Sequence, residues 1–255
     1  MPPLSLAHIV ALAAVALVAG AINSVAGGGS FLSFPTLIFV GVPPIAANAT
    51  NNTAMWVGVL GSARGYKEEI REHRHLLLLP LLVSLVGSLG GAVLLLKTPP
   101  ILFQRMIPFL LLFATVVFAL SPYFVKPHAA SARKHTPLQL ALQFCVSVYG
   151  GYFGAGMGIL MLAILAFSGL PSLNAMNGVK NVLSITINGI AIVPFVIAGI
   201  IQWLPAVLMA SFAVLGGYFG ARFFRRLPGR VSRTVVIALG TAMTAYFFAK
   251  SMHGG

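Results

Sequence analysis

The sequence predicts an all-α integral membrane protein made of two inverted-topology repeats, each with three full transmembrane helices plus a broken or re-entrant helix pair. Three observations predict it. Of the 255 residues, 58% are hydrophobic and only 7% are charged, whereas about a quarter of the residues of a soluble protein are charged. Six apolar stretches are long enough to cross a bilayer, and the second half of the chain repeats the pattern of the first.

Composition also excludes several classes of protein. The net charge of +13 is typical of nucleic-acid-binding proteins, but here the basic residues lie between long apolar runs rather than on one solvated face. We therefore expect no nucleic-acid partner. The single cysteine, Cys145, excludes an intramolecular disulfide and a CxxC site.

The predicted full spans follow from length, because a helix needs roughly 20 apolar residues to cross the hydrocarbon core. They cover residues 4–26, 76–96, 101–124, 137–155, 204–224 and 231–250. Two pairs of segments lie between them, 30–42 with 45–62 and 158–169 with 173–201. The first members are too short to span, and the second members begin with polar residues such as "ANATNNT". We interpret both pairs as broken or re-entrant helices.

The positions of the basic residues test this count. If each pair enters and leaves on the same side, twelve basic residues share one side, against Lys97, Lys250 and Arg105. The twelve are Arg64, Lys67, Arg71, Arg74, Lys126, Arg133, Lys134, Arg222, Arg225, Arg226, Arg230 and Arg233. Cytoplasmic loops are enriched in Lys and Arg, so both termini are predicted outside. The only acidic residues, Glu68, Glu69 and Glu72, fall in the first cytoplasmic loop.

A shift of 128 residues relates the two halves of the chain. It places Gly28, Gly41 and Pro43 on Gly156, Gly169 and Pro171, and Pro100 and Arg105 on Pro228 and Arg233. We interpret residues 1–128 and 129–255 as two repeats that form one membrane domain. Each repeat has an odd number of crossings, so the repeats must be inverted. Inverted repeats with interrupted helices are typical of secondary transporters, which bind substrate near the midplane.

Two glycine runs are candidates for an anion site. Glycine lets the backbone turn sharply, and the amide groups that it leaves exposed bind anions. Close packing of helices through small residues is the alternative reading. The candidate residues are Gly27, Gly28, Gly29 and the adjoining Ser30 in the first repeat, and Gly154, Gly156 and Gly158 in the second.

Polar stripes follow both runs. Pro43-Pro44 and Pro171-Ser172 favour helix starts inside the membrane, with the positive end of each helix dipole available to an anion. The stripes consist of Asn48, Asn51 and Asn52, and of Asn174, Asn177, Asn181, Ser184 and Asn188. They must face protein or water rather than lipid, and their amides either donate to an anion or join helices.

Lys180 is the only charge well inside a predicted membrane segment, which makes it a candidate ligand for the anion. The alternative is that its long side chain reaches an interface. No Asp or Glu lies in any span, which argues against a carboxylate proton relay or a sodium cage. We predict no metal site and no cofactor.

At the residues "AGGGSFLSFPTLIFVGVPPIAANAT" and "YFGAGMGILMLAILAFSGLPSLNA" the chain resembles the sulfite exporter TauE/SafE family of membrane permeases. "LGGYFGARFFRRLPGRVSR" is similar to the pattern that precedes the last span of the family. The second glycine run reads "GAGMG" where the first reads "AGGGS", so glycine roles transfer less directly between the repeats. The resemblance implies transport of sulfur-containing anions, such as sulfite or organosulfonates, across a bacterial inner membrane.

The sequence therefore predicts an alternating-access permease that binds a small anion between two broken-helix hairpins. Export is the favoured direction because an inside-negative potential drives anions outward. An anion channel is the alternative within transport, and a membrane-embedded enzyme is the alternative from another class. The expected partners are the anion and the lipid bilayer, and the sequence makes no prediction of the oligomeric state.

Overall fold

The protein is described by a computed structural model that covers residues 5–25, 27–124, 136–223 and 229–253. Within these ranges the chain forms eleven α-helices, one 3-10 turn at Arg74–Leu76, and no strand. The helices are α1 Leu6–Val25, α2 Ser30–Phe39, α3 Pro44–Gly65, α4 Lys67–Glu72, α5 Leu78–Lys97, α6 Pro100–Phe124, α7 Pro137–Tyr152, α8 Met157–Ala166, α9 Leu173–Ile197, α10 Trp203–Phe223 and α11 Gly229–His253.

Five helices of the described chain are long and apolar enough to cross a membrane: α1, α5, α6, α9 and α10. Four of them coincide with predicted spans. The predicted span 137–155 is wrong in extent, because α7 has only 16 residues and ends at Tyr152. The span predicted at 231–250 falls within α11, in which Ile237–Ala249 forms an apolar helical stretch.

The predicted short pairs also need correction. Only the first member of each pair is short, since α2 and α8 have 10 residues each. The second members, α3 and α9, are continuous helices of 22 and 25 residues. At 1.5 Å per residue they reach about 33 and 38 Å, enough to cross the hydrocarbon core. Their polar residues do not break the helix, because most of them are buried against other helices.

The helix starts follow the sequence closely in α3 and less so in α9. Pro43 is the N-cap of α3 and Pro44 its first residue, where proline has no amide to leave unpaired. In α9 the N-cap is Ser172, whose Oγ accepts a hydrogen bond from the Ala175 amide at 3.1 Å. Pro171 precedes the helix rather than forming its first turn.

Small residues pack the long helices into two groups of three. Helix α10 lies between α1 and α3, and α5 lies between α7 and α9. A Cβ at Gly216 would overlap the Leu17 carbonyl oxygen, and one at Gly217 would overlap the Gly58 carbonyl oxygen. Close approach of backbones through glycine is a common way for helices to associate where lipid removes the hydrophobic driving force.

Two hairpins, α1–α2 and α7–α8, meet at their tips. The chain turns back after α1 at Gly27–Gly29 and after α7 at 153–156. The open end of the α7–α8 hairpin is closed by a hydrogen bond of 2.9 Å from Gln139 Nε2 to the Phe167 carbonyl oxygen. At the tips, a Cβ added to Gly27 would lie 2.8 Å from the Cα of Gly158. The two hairpins therefore touch through backbone atoms.

Candidate functional site

A polar cavity lies where the hairpin tips meet the middles of α3 and α9. Eight of the predicted site residues line it: Gly27, Ser30, Asn51, Asn52, Gly154, Gly158, Lys180 and Asn181. The remaining lining residues are Asn23, Met55, Val59, Phe153, Met157, Ser184 and Asn188. The cavity thus combines residues from both halves of the chain.

The side chain of Lys180 is buried in the protein, with 2% of its surface exposed. Its Nζ donates to the Asn23 carbonyl oxygen at 3.0 Å and to Asn177 Oδ1 at 2.8 Å. The ammonium group therefore lies inside the helix assembly rather than at an interface, contrary to the snorkelling alternative. An ammonium has three donors, so one N–H is left for a ligand.

No carboxylate lines this cavity. The three acidic residues of the chain, Glu68, Glu69 and Glu72, all lie in α4, outside the lining. The Lys180 ammonium makes the cavity electropositive. Because a buried charge without a partner is costly, a ligand with negative charge is favoured.

The asparagines of α3 and α9 offer further polar groups to a ligand. Asn51 Oδ1 accepts a hydrogen bond from Ser33 Oγ of α2. Asn52 Oδ1 and Asn181 Nδ2 are buried and have no hydrogen-bond partner among the described residues. Buried polar groups are nearly always paired, and an amide end can be turned to present either oxygen or nitrogen. These two side chains are therefore available to a ligand in the cavity.

Two helix N-termini open into the cavity, but they are not the predicted ones. They belong to the short helices α2 and α8, which begin at Ser30 and Met157. Within the described chain the amides of Ser30 and Gly158 donate no hydrogen bond. The positive end of a helix dipole favours an anion. Helices α3 and α9 instead contribute their middle turns, and Asn174, in the first turn of α9, is half-buried and outside the lining.

The glycines divide into turn formers and packing positions. Gly27, Gly154 and Gly156 have φ near +78°, +77° and +77°, a conformation that other residues rarely adopt. Gly28 and Gly29 lack it, and both lie outside the lining.

Gly29 and Gly156 hold the hairpin tips against neighbouring elements instead of lining the cavity. The Gly29 amide donates to Asn23 Oδ1 at 2.7 Å, and a Cβ at this glycine would overlap the Ala19 carbonyl oxygen. A Cβ at Gly156 would lie 2.9 Å from the Cβ of Ala114.

Asn48 and Asn177 act on the site from outside the lining. Asn48 Nδ2 donates to the Tyr152 carbonyl oxygen at 2.9 Å and so ties α3 to the end of α7. Asn177 orients the Lys180 ammonium through its Oδ1.

Sequence reasoning missed Asn23, which holds both Lys180 and the Gly29 amide. Its signal is an asparagine in an otherwise apolar first span, four residues before a glycine run. Ser184 and Asn188 belong to the predicted stripe and do line the cavity. The apolar lining residues, among them Met55 and Met157, carry no signal that separates them from ordinary core residues.

In the described part of the chain no three His, Cys, Asp or Glu side chains come together as metal ligands. Cys145 is a free, exposed thiol.

The long apolar helices and the buried cationic cavity together define a multi-pass membrane protein of the transporter class. Residues 12–247 match the family model described as "Sulfite exporter TauE/SafE", and the chain belongs to this family.

Similar proteins include a "Probable membrane transporter protein" of Haemophilus influenzae, 26% identical over 91% of each chain. Another is "Probable membrane transporter protein ORF9" of Sinorhizobium sp, 28% identical over 96% of this chain and 95% of that one. A third is "Probable membrane transporter protein YfcA" of Escherichia coli K12, 26% identical over 94% of this chain and 89% of that one. No solved structure matches the chain.

Proposed function

We propose that this protein is a bacterial inner-membrane permease that exports small sulfur-containing anions, such as sulfite or organosulfonates, by alternating access. The observation that carries the proposal is the Lys180 ammonium, buried in a polar cavity that no carboxylate lines. The anion would bind between the tips of the α1–α2 and α7–α8 hairpins.

Electrostatics support an anion over other ligands. Removing an ammonium from water costs several kcal/mol even after the protein relaxes, and the cavity offers it only neutral oxygen acceptors. A bound anion would supply the missing countercharge. The free N–H of Lys180 and the amides of Ser30 and Gly158 can donate to its oxygens, whereas a cation would meet a like charge.

The helix directions support two inverted repeats, 1–128 and 129–255. Helices α3 and α10 run in the same direction, since Gly58 approaches Ala213 and Gly65 approaches Ala221. Helix α9 runs in the opposite direction to α3. Thr50 accepts a hydrogen bond from the amide of Gln202, in the connection from α9 to α10. Trp56, further along α3, donates to the Ile185 carbonyl oxygen, earlier in the chain.

The 128-residue shift relates every helix of the first half except α4 to one of similar position in the second. It pairs α1 with α7, α2 with α8, α3 with α9, α5 with α10 and α6 with α11. In this arrangement the open end of the α1–α2 hairpin faces the outside and that of the α7–α8 hairpin faces the cytoplasm. Two hairpins from opposite sides that meet at one cavity suit alternating access, because each can open the cavity to its own side.

Membrane sidedness follows from the basic residues. Arg64 lies in the last turn of α3, Lys67 and Arg71 lie in α4, and Arg74 lies in the 3-10 turn that follows. We assign this region to the cytoplasm. Several other residues of that count, including Lys126 and Arg226, lie outside the described ranges. Both termini are then outside. With the cell interior negative, each unit of negative charge gains about 2.3 kcal/mol per 100 mV on leaving, so export needs no coupling ion.

The test is flux through purified protein in liposomes loaded with a labelled anion. A permease shows saturable efflux that unlabelled sulfite or sulfonate on the far side accelerates. A channel shows efflux that neither saturates nor responds to substrate on the far side. Recovery of a chemically altered anion would indicate an enzyme. Efflux no faster than from protein-free liposomes, for sulfite and sulfonates alike, would refute the proposal.

A further inference from the structure

A second cavity lies on the surface of the helix assembly, where α3, α4 and α10 meet. Its lining is mostly apolar. Helices α3 and α10 are in close contact along it, since a Cβ at Gly61 would lie 2.5 Å from the Val214 carbonyl oxygen. Val57, Leu60 and Ile70 also line this groove, and Leu60 is 37% exposed. The groove is therefore an apolar furrow open along the side of the protein.

One end of the groove carries positive charge. Arg64 and Lys67 line it there, and both are exposed. No acidic side chain lines the groove, and neither cation forms a hydrogen bond or ion pair with another described residue. An apolar furrow with two cations at one end is complementary to a molecule that has an apolar chain and an anionic head.

The spacing of these groups along α3 matches the depth profile of a bilayer. Arg64 lies in the last turn of α3, and Val57 precedes it by seven residues, about 10 Å deeper along the helix axis. Phosphate groups lie at the membrane boundary and acyl chains begin just beneath them. Basic pockets between transmembrane helices on the cytoplasmic side are known to bind anionic lipid head groups.

We propose that this groove binds an anionic phospholipid, with its phosphate between Arg64 and Lys67 and one acyl chain along Val57, Leu60 and Val214. The inference does not depend on the transported substrate, because none of these residues lines the central cavity. A second copy of the chain is the competing occupant, but it would have to place a countercharge against two cations, and the acidic residues of the chain are confined to α4.

The experiment uses the full-length protein purified in a neutral detergent. Binding of phosphatidylglycerol and of phosphatidylcholine with the same acyl chains is measured by native mass spectrometry. We expect phosphatidylglycerol to bind at least tenfold more tightly. In the double variant Arg64→Gln, Lys67→Gln this preference should be lost, whereas Arg74→Gln, which changes an exposed basic residue outside the groove, should keep it. Arg64→Lys retains the charge and should keep most of the preference, which separates charge from folding.

Several results would overturn the inference. Equal affinity for the two lipids, or a preference that survives the double variant, would remove the groove as the binding site. Glycerol phosphate that competes at the concentrations of the lipid would show a head-group site without the apolar furrow. A change from dimer to monomer in the double variant, with no change in lipid binding, would assign the groove to a second copy of the chain.

Discussion

Replacing Lys180 with Met tests the central feature of the site. Methionine retains an unbranched, flexible stem but removes the ammonium. A charge-assisted hydrogen bond is worth about 1.5 to 3 kcal/mol, so its loss should weaken anion binding about tenfold to a hundredfold. The Coulomb energy scales with the charge of the ligand. The loss should therefore be larger for a dianion such as sulfate than for a monoanion such as methanesulfonate.

The same substitution has opposing effects on stability. It removes one donor to the Asn23 carbonyl oxygen and one to Asn177 Oδ1, and a buried unsatisfied acceptor costs about 1 to 3 kcal/mol. It also removes a buried charge, which relieves a desolvation penalty of several kcal/mol and so acts in the opposite direction. We therefore expect a folded protein with a changed site, and affinity rather than cellular activity is the quantity to compare.

The assay is equilibrium binding of both anions to purified protein, with thermal unfolding as a check on folding. Lys97→Met is the matched control, because Lys97 is exposed at the end of α5, outside the cavity lining, and its loss should leave affinity unchanged. Lys180→Arg should retain more affinity than Lys180→Met. Unaltered affinity of Lys180→Met for both anions would refute the reasoning and leave this lysine as a structural residue.

Three further predictions concern the tips, the amides and the topology. Gly27→Ala should destabilise the protein by about 2 to 5 kcal/mol through backbone strain and overlap at the hairpin contact. In the control Gly90→Ala, the added Cβ meets no atom within 4 Å, so the thermal midpoint should not fall. Equal midpoints for the two variants would contradict a packed contact at Gly27. Asn181→Leu should weaken the binding of a monoanion and of a dianion by the same factor, about tenfold at equilibrium. A loss of affinity confined to dianions would contradict the role of Asn181 as an uncharged hydrogen-bond donor. Single cysteines are introduced at Glu68 and at Lys97 in a Cys145→Ser background. An impermeant reagent should label the first from the cytoplasm and the second from outside. Labelling of both from the same face would rule out the proposed sidedness.

Apolar length was sufficient to predict α1, α5, α6 and α10 from the sequence. It failed for α3 because the polar run from Asn48 to Asn52 lowers local hydropathy in the same way as a loop does. Helix α9 is apolar enough to span, and only the polar residues near its start suggested an interruption. In the structure these side chains are buried, so a full-length helix is compatible with them. Which face of such a helix meets protein depends on the neighbouring helices and not on the helix itself.

The candidate site was predictable in kind and not in detail. Lys180 is conspicuous in the sequence as the only charge well inside a predicted membrane segment. The position of its ammonium, however, is fixed by a hydrogen bond to the carbonyl oxygen of Asn23, 157 residues away. Under the 128-residue shift Lys180 corresponds to Asn52, so the two halves contribute different chemistry to the same cavity. A repeat pattern identifies such equivalent positions, but it does not show which of them faces the ligand.

The exchange of α5 and α10 between the two groups of long helices bears on how the protein is made. Helix α10 belongs to the second half of the chain yet packs between α1 and α3 of the first. Trp203, where α10 begins, follows Gly65, where α3 ends, by 138 residues. A ribosome that has completed the first half has therefore delivered α1 and α3 to the membrane long before the helix that separates them exists. The polar face of α3 must be shielded in the meantime by lipid head groups, water or the insertion machinery, and native assembly can finish only after nearly the whole chain has been synthesised.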